Sequence, residues 1–225
     1  MTEKVHMEKV KIVFEDDDIL VVNKEAGIEV DVPHSDSENN IVNYLKKHFG
    51  QKNIFLVHRL DKFTSGLVVI AKNEKAQKNL EQQFRERMVK KVYHAIVEGV
   101  FDQKRGTINL PIGSDRMVRQ KRWVVKNGEK AVTNFETLKR LGNDFTLVKL
   151  EPLTGRTHQL RVHMTYLGHP IVGDKLYNGR VEGLKTKGFA LIAKRIEFHH
   201  PTTNRLEKFE IKYGEEFEKI LETLK

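Results

Sequence analysis

The chain has 225 residues, with 40 Lys plus Arg against 31 Asp plus Glu, giving a net charge of +9 and a pI near 9.5. It has no cysteine, which excludes a disulfide framework and a thiolate metal site. No stretch approaches the ~20 apolar residues of a membrane span, and Met1 to Glu8 lacks the apolar run of a signal peptide. A cytoplasmic, membrane-free protein is expected, with the basic balance of one that handles polyphosphate.

Val10, Ile12 and Phe14 alternate with polar positions, and Ile19-Leu20-Val21-Val22 follows the acidic turn Asp16-Asp17-Asp18. This predicts a hairpin or a pair of sheet strands, closed by Glu25-Ala26-Gly27. Ser37 is placed to cap a helix with Ile41, Leu45 and Phe49 on one face and Gly50 as its stop. Next comes His58-Arg59-Leu60-Asp61-Lys62-Phe63-Thr64-Ser65-Gly66-Leu67, ahead of the apolar run Val68-Val69-Ile70-Ala71, which reads as a buried strand. Asp61, with Arg59 and Lys62 close in sequence, has the makings of a nucleophile or base. Residue types alone favour a turn in which the carboxylate caps local amides.

Asn73 is placed to cap a second helix, whose buried stripe is Ala76, Leu80, Phe84 and Met88. Lys75, Lys78, Arg85 and Arg87, interspersed with Glu81 and Glu86, read as its solvated face. In the strand Lys91 to Gly99, Tyr93, Ala95 and Val97 lie on one side and Val92, His94 and Ile96 on the other. Arg116 to Lys130 gathers Arg116, Arg119, Lys121, Arg122, Lys126 and Lys130 around Trp123 and an Asn127-Gly128 turn. That composition fits phosphate binding with a base stacked on the Trp, and also a hairpin that the Trp anchors to the core.

Thr133 to Leu141 and Phe145 to Leu150 read as strands joined by Gly142-Asn143-Asp144. From about Thr157 a helix is predicted, with Leu160, Met164 and Leu167 on its apolar face and Gly168 at its end. His158, His163, His199 and His200 lack metal-site spacing, so hydrogen bonding to backbone is expected and no metal. Phe217, Ile220, Leu221 and Leu224 predict a closing amphipathic helix. With no repeat and no linker-like tract, a single domain over 1–225 is expected.

Four segments resemble the RluA family of pseudouridine synthases. His58-Arg59-Leu60-Asp61 with Thr64-Ser65-Gly66-Leu67 resembles its first signature, and Lys91-Val92-Tyr93-His94-Ala95 its second. Gly155-Arg156-Thr157-His158-Gln159-Leu160-Arg161 resembles the third, continued by His169-Pro170-Ile171-Val172-Gly173-Asp174. Leu191-Ile192-Ala193 with Phe198-His199-His200-Pro201 resembles the last, Ile192 standing where the family has histidine. Near the start, Asn23-Lys24 and Ala26-Gly27 match while Glu25 replaces the usual proline.

The resemblance implies an α+β fold: a mixed, mostly antiparallel bisected sheet with flanking helices and a central catalytic cleft. It implies isomerisation of uridine to pseudouridine in RNA, with no cofactor. The roles it implies are Asp61 as the essential carboxylate, Arg156 as its partner, and Tyr93 and Leu191 against the flipped base. Arg59 would fill the vacated space, and His58, Thr64, Arg119 and Arg122 would contribute to substrate binding. Only nine residues precede the first predicted strand, so no N-terminal S4-type RNA-binding domain is expected. The expected partner is a stem-loop of rRNA or tRNA, with no obligate protein partner and a monomeric state. Two other readings compete: a non-catalytic RNA-binding module, which would not need Asp61, Tyr93 and Arg156 together, and a carboxylate hydrolase, which would want a second acid nearby.

Overall fold

Val10–Glu15 (β1) and Ile19–Lys24 (β2) pair as an antiparallel hairpin across the acidic turn. Asp16 holds that turn, its Oδ1 accepting the N–H groups of Asp18 (2.9 Å) and Ile19 (2.8 Å). A register shift between Ile12 and Phe14 breaks the alternation of β1, and Ile12, expected to face inward, is 42% exposed. The computed structural model describes residues 10–30, 40–48, 53–115, 117–118, 120–180 and 188–224. The chain divides into two compact units, Met1–Lys90 with Ala193–Lys212, and Lys91–Ile192 with Tyr213–Lys225.

In the first unit β2 pairs antiparallel with Ser65–Ala71 (β4), and Phe55–Leu56 (β3) pairs with the end of β4. β4 is hydrogen-bonded to Leu191–His199 (β11), and β11 to Leu206–Glu210 (β12). Because β2 and β4 are covered on both faces, they carry continuous apolar runs rather than alternating ones. Their core joins Ile19, Val21, Leu67, Val69, Ile196 and Phe198 to Ala76 and Leu80 of the helix Glu74–Arg85 (α2).

Asn73 caps α2 as expected, accepting the Ala76 N–H at 2.9 Å. The helix stops at Arg85, and Arg87 takes φ +62°. Met88 therefore leaves the expected stripe and is 47% exposed. The helix Ile41–His48 (α1) buries Ile41 and Leu45. Its cap is Asn40, which accepts the Asn43 N–H at 2.8 Å; Ser37, Phe49 and Gly50 lie outside the described residues.

In the second unit Lys90–Glu98 (β5), Phe145–Pro152 (β10), Val132–Leu141 (β9) and Arg105–Asn109 (β6) form antiparallel pairs in the order β5-β10-β9-β6. The β9–β10 turn is tight because Gly142 accepts φ +57°. Ile112–Ser114 (β7) and Arg122–Val124 (β8) make a small separate hairpin. The helix Gln159–Tyr166 (α3) begins two residues later than expected and buries every residue from Gln159 to Met164. Leu167, expected on an apolar face, is instead its partly exposed C-cap. Glu215–Thr223 (α4) buries Phe217 and Ile220 as expected, and Tyr213 Oη lies 2.7 Å from His94 Nδ1 of β5. Helices on antiparallel strands give the α+β class that the sequence predicts.

Candidate active site

Asp61 sits half-buried on a turn at the entrance to β4, its carbonyl accepting the Thr64 N–H at 3.0 Å. Thr64 is buried and Arg59 exposed. Gly66, one residue into β4, has φ +111°, and a Cβ there would lie 2.4 Å from the Ala193 carbonyl oxygen of β11. Only glycine allows both that conformation and that approach. His58 Nε2 accepts the Val69 N–H at 2.9 Å, and its ring stacks on Phe84 at 4.6 Å. Its contacts therefore tie the motif to β4 and α2.

A second loop clamps the turn from the end of β2. Gly27 donates its N–H to the Lys62 carbonyl at 2.9 Å, and Lys62 Nζ pairs with Glu29 at 2.9 Å. Between the two loops lies Lys24, fully buried. Its ammonium donates to the carbonyls of Glu25 (3.1 Å), Ile28 (2.9 Å) and Lys62 (3.0 Å). Burial pushes its pKa down from 10.5 to about 7, against the opposing pull of the Asp61 charge. The cation that Asp61 interacts with electrostatically is thus one that residue spacing around the motif did not suggest. Its signals were the Asn23-Lys24 match to the family's opening and a lysine closing a mostly apolar strand.

The remaining site candidates belong to the second unit. Tyr93 is half-buried on β5, opposite Leu150 of β10. Leu191 is buried directly after Ala190, which is held by hydrogen bonds with Ile96 and Val172. Ile192 is buried with it, so this departure from the family pattern packs in the core.

Arg156 follows β10 in a loop organised by buried Gln159. The Gln159 side chain accepts from Thr154 Oγ1 (2.7 Å) and the Arg156 N–H (3.0 Å), and donates to the Val132 carbonyl (3.0 Å). The Arg156 guanidinium donates to the Lys130 carbonyl and forms an ion pair with Glu129. His158, next in this loop, is held at φ +58°, an uncommon conformation outside glycine. Its Nδ1 lies 3.0 Å from Tyr177 Oη.

One pair escaped the sequence reading. Arg161 makes two bonds to Asp174, at 2.6 and 2.9 Å, with both side chains buried. The Arg161 guanidinium also lies over the rings of Tyr177 (4.9 Å) and Phe189 (4.7 Å). The signal was present as the second arginine of the third motif and the Gly173-Asp174 that follows. Of the four histidines, His163 contacts Thr133 Oγ1 and the Leu110 carbonyl, and His200 accepts the N–H groups of Thr202 and Thr203 and bonds Asp16, whereas the buried Nδ1 of His199 has no hydrogen-bond partner among the described residues.

The basic stretch resolves into the β7–β8 hairpin. Asp115 closes its loop, accepting the N–H groups of Met117 (2.8 Å) and Val118 (2.9 Å), which lower its pKa. Met117 at the tip is 92% exposed. Trp123 packs against the cluster of Ile112, Ala131, Val162 and Tyr177, so anchoring is its structural role. Lys121 Nζ lies 5.2 Å above its ring. Arg122 bonds Ser114 Oγ, and its backbone exchanges two hydrogen bonds with Tyr177 Oη. Arg116 and Arg119 lie outside the described residues.

The family model for RNA pseudouridylate synthases matches residues 18–166. The uncharacterized RNA pseudouridine synthase YlyB of Bacillus subtilis is 40% identical over 221 residues, covering 95% of this chain and 72% of the relative. The dual-specificity RNA pseudouridine synthase RluA of Vibrio parahaemolyticus is 41% identical over 200 residues, 87% of this chain and 80% of the relative. The ribosomal large subunit pseudouridine synthase D of Pseudomonas aeruginosa is 39% identical over 234 residues, 96% and 72%. The structure of human RNA pseudouridylate synthase domain containing 1 aligns with a TM-score of 0.78 at 30% identity, over 92% of this chain and 84% of its own. With its HRLD turn, its third-motif loop and these likenesses over most of its length, the chain belongs to the RluA family of RNA pseudouridine synthases, isomerases of uridine in RNA.

Proposed function

We propose that Asp61 starts the isomerisation, that Tyr93 and Leu191 contact the target uracil, and that Arg156 is the arginine partner of the Asp61 carboxylate. The reaction breaks the N-glycosidic bond, turns the uracil and joins its C5 to the ribose. It transfers no electrons to an outside acceptor, so no redox cofactor is called for. Reaching that bond in structured RNA requires the nucleotide to be flipped out, at a cost of a few kcal/mol. The observation that carries the reading is the clamped turn: Lys24 and Gly27 both bind the Lys62 carbonyl, next to Asp61. A reacting carboxylate gains from such prior immobilisation.

Arg59, exposed beside Asp61, is suited to the space a flipped nucleotide leaves. The proposed substrate is a stem-loop of ribosomal or transfer RNA. The Pseudomonas relative named for the large ribosomal subunit supports the ribosomal arm. We place the enzyme in the cytoplasm as a monomer; no described helix is long and apolar enough to cross a membrane.

The test is turnover on RNA from cells lacking the gene. Purified wild-type protein forms pseudouridine at defined positions, while Asp61→Asn forms none and binds the same RNA with nearly unchanged affinity. Turnover by Asp61→Asn, or loss of its RNA binding, contradicts the assignment.

A further inference from the structure

Most buried or half-buried cations near the candidate residues are spoken for. Lys24 has three carbonyls, and Arg161 has Asp174 and two rings. Lys91 is different. It is half-buried on β5, and among the described residues its ammonium has no hydrogen-bond or ion-pair partner. Burial alone lowers its pKa, with no carboxylate opposing the shift. A half-buried lysine with no counter-charge is less well solvated in the folded chain than in the unfolded one. Such a group is a candidate for a site completed by a ligand.

Its position says which ligand. Lys91 lies two residues before Tyr93, and side chains two apart on a strand share a face. Its Nζ is 3.8 Å from where a Cβ on Gly155 would stand, beside the loop that delivers Arg156. Gly155 does not have a positive φ, so its backbone conformation does not demand glycine. The missing side chain leaves the approach to the ammonium open. A bare ammonium on the face of Tyr93 and next to Gly155 suits a phosphate of a nucleotide whose base Tyr93 contacts.

We propose that Lys91 binds an RNA backbone phosphate adjoining the target uridine, completing its coordination only when substrate is bound. This rests on the reading of Tyr93 as a base-contacting residue. Phosphate binding would remove the unpaired state of Lys91 and draw the flipped nucleotide against β5. The role is in binding rather than in chemistry, so its loss should appear in KM.

The test uses the whole chain. Lys91→Met raises KM for RNA from cells lacking the gene roughly tenfold or more, as loss of a charge-assisted hydrogen bond implies, while kcat stays near wild type. The slope of log affinity against log salt falls by about 0.7, the share of one phosphate on a single strand, and Lys91→Arg recovers most of both. For wild type, an uncharged methylphosphonate next to the target uridine costs the same in KM, with no further loss in Lys91→Met. An unchanged salt slope, or a loss confined to kcat, overturns the proposal. If Lys91→Met does not fold, the methylphosphonate series on wild type decides it, an unchanged KM being the overturning result. Anisotropy of a labelled oligouridylate across salt, wild type against Lys91→Arg and Lys91→Met, reads the same contact without turnover. An inactive wild type would therefore sink the functional reading and still leave Lys91 tested.

Discussion

Replacing Lys24 by Met removes one ammonium and takes a donor from the carbonyls of Glu25, Ile28 and Lys62, of which the last keeps the Gly27 N–H. Each buried acceptor so stranded costs about 1–3 kcal/mol. Against that, the variant no longer buries a charge. The Lys24 pKa falls from 10.5 to about 7 on folding, and each unit of such a shift corresponds to about 1.4 kcal/mol. Below the folded-state pKa both folded and unfolded chains hold the proton, and the stability contribution does not change with pH. Between the folded and unfolded values the unfolded chain binds one more proton, so wild-type stability rises with pH by up to about 1.4 kcal/mol per unit. Lys24→Met lacks this rise. The stability difference therefore moves in favour of wild type by roughly 3 kcal/mol between about pH 6.5 and about pH 9. Urea denaturation of both proteins across that range measures it. Parallel stability curves would show that Lys24 keeps an ordinary pKa, and the reasoning from its burial would fail.

Three further outcomes follow from the geometry. Gly66→Ala forces a Cβ to 2.4 Å from the Ala193 carbonyl oxygen at φ +111° and should cost more than about 3 kcal/mol; a urea midpoint near wild type would contradict that close approach. Asp174→Asn leaves the Arg161 charge buried without its counter-charge, a loss of about 3–5 kcal/mol that the double replacement Arg161→Met with Asp174→Leu should partly restore in thermal melts. Lys121→Gln with Arg122→Gln should raise KM and flatten its salt dependence with kcat unchanged. Identical kinetics across salt would remove the β7–β8 hairpin from the RNA-binding surface.

What could be read in the residues was mostly local. The β9–β10 hairpin announces itself through alternation and a glycine that takes φ +57°, and Asn73 caps α2 through its own side chain. Periodicity failed where a local event ended an element. Arg87 leaves helical geometry before Met88, and the bulge near Val13 sets Phe14 opposite Val21, out of line with Val10 and Ile12. The site was half legible for a related reason. The Asp61–Gly66 turn is encoded within six residues, but its clamp depends on Lys24, whose Lys62 acceptor lies 38 positions away. A buried lysine and a solvated one look alike in a sequence. The same holds for Arg161, which meets Asp174 only after α3 and the following loop have folded.

If Asp61 carries the RNA-modifying activity, pseudouridine mapping across all cellular RNA should track this one side chain. The cells would lack the gene and be rescued with wild type or with Asp61→Asn at matched protein levels. Defined pseudouridines should vanish on deletion and return only with wild type. Restoration of the same sites by Asp61→Asn would contradict that role.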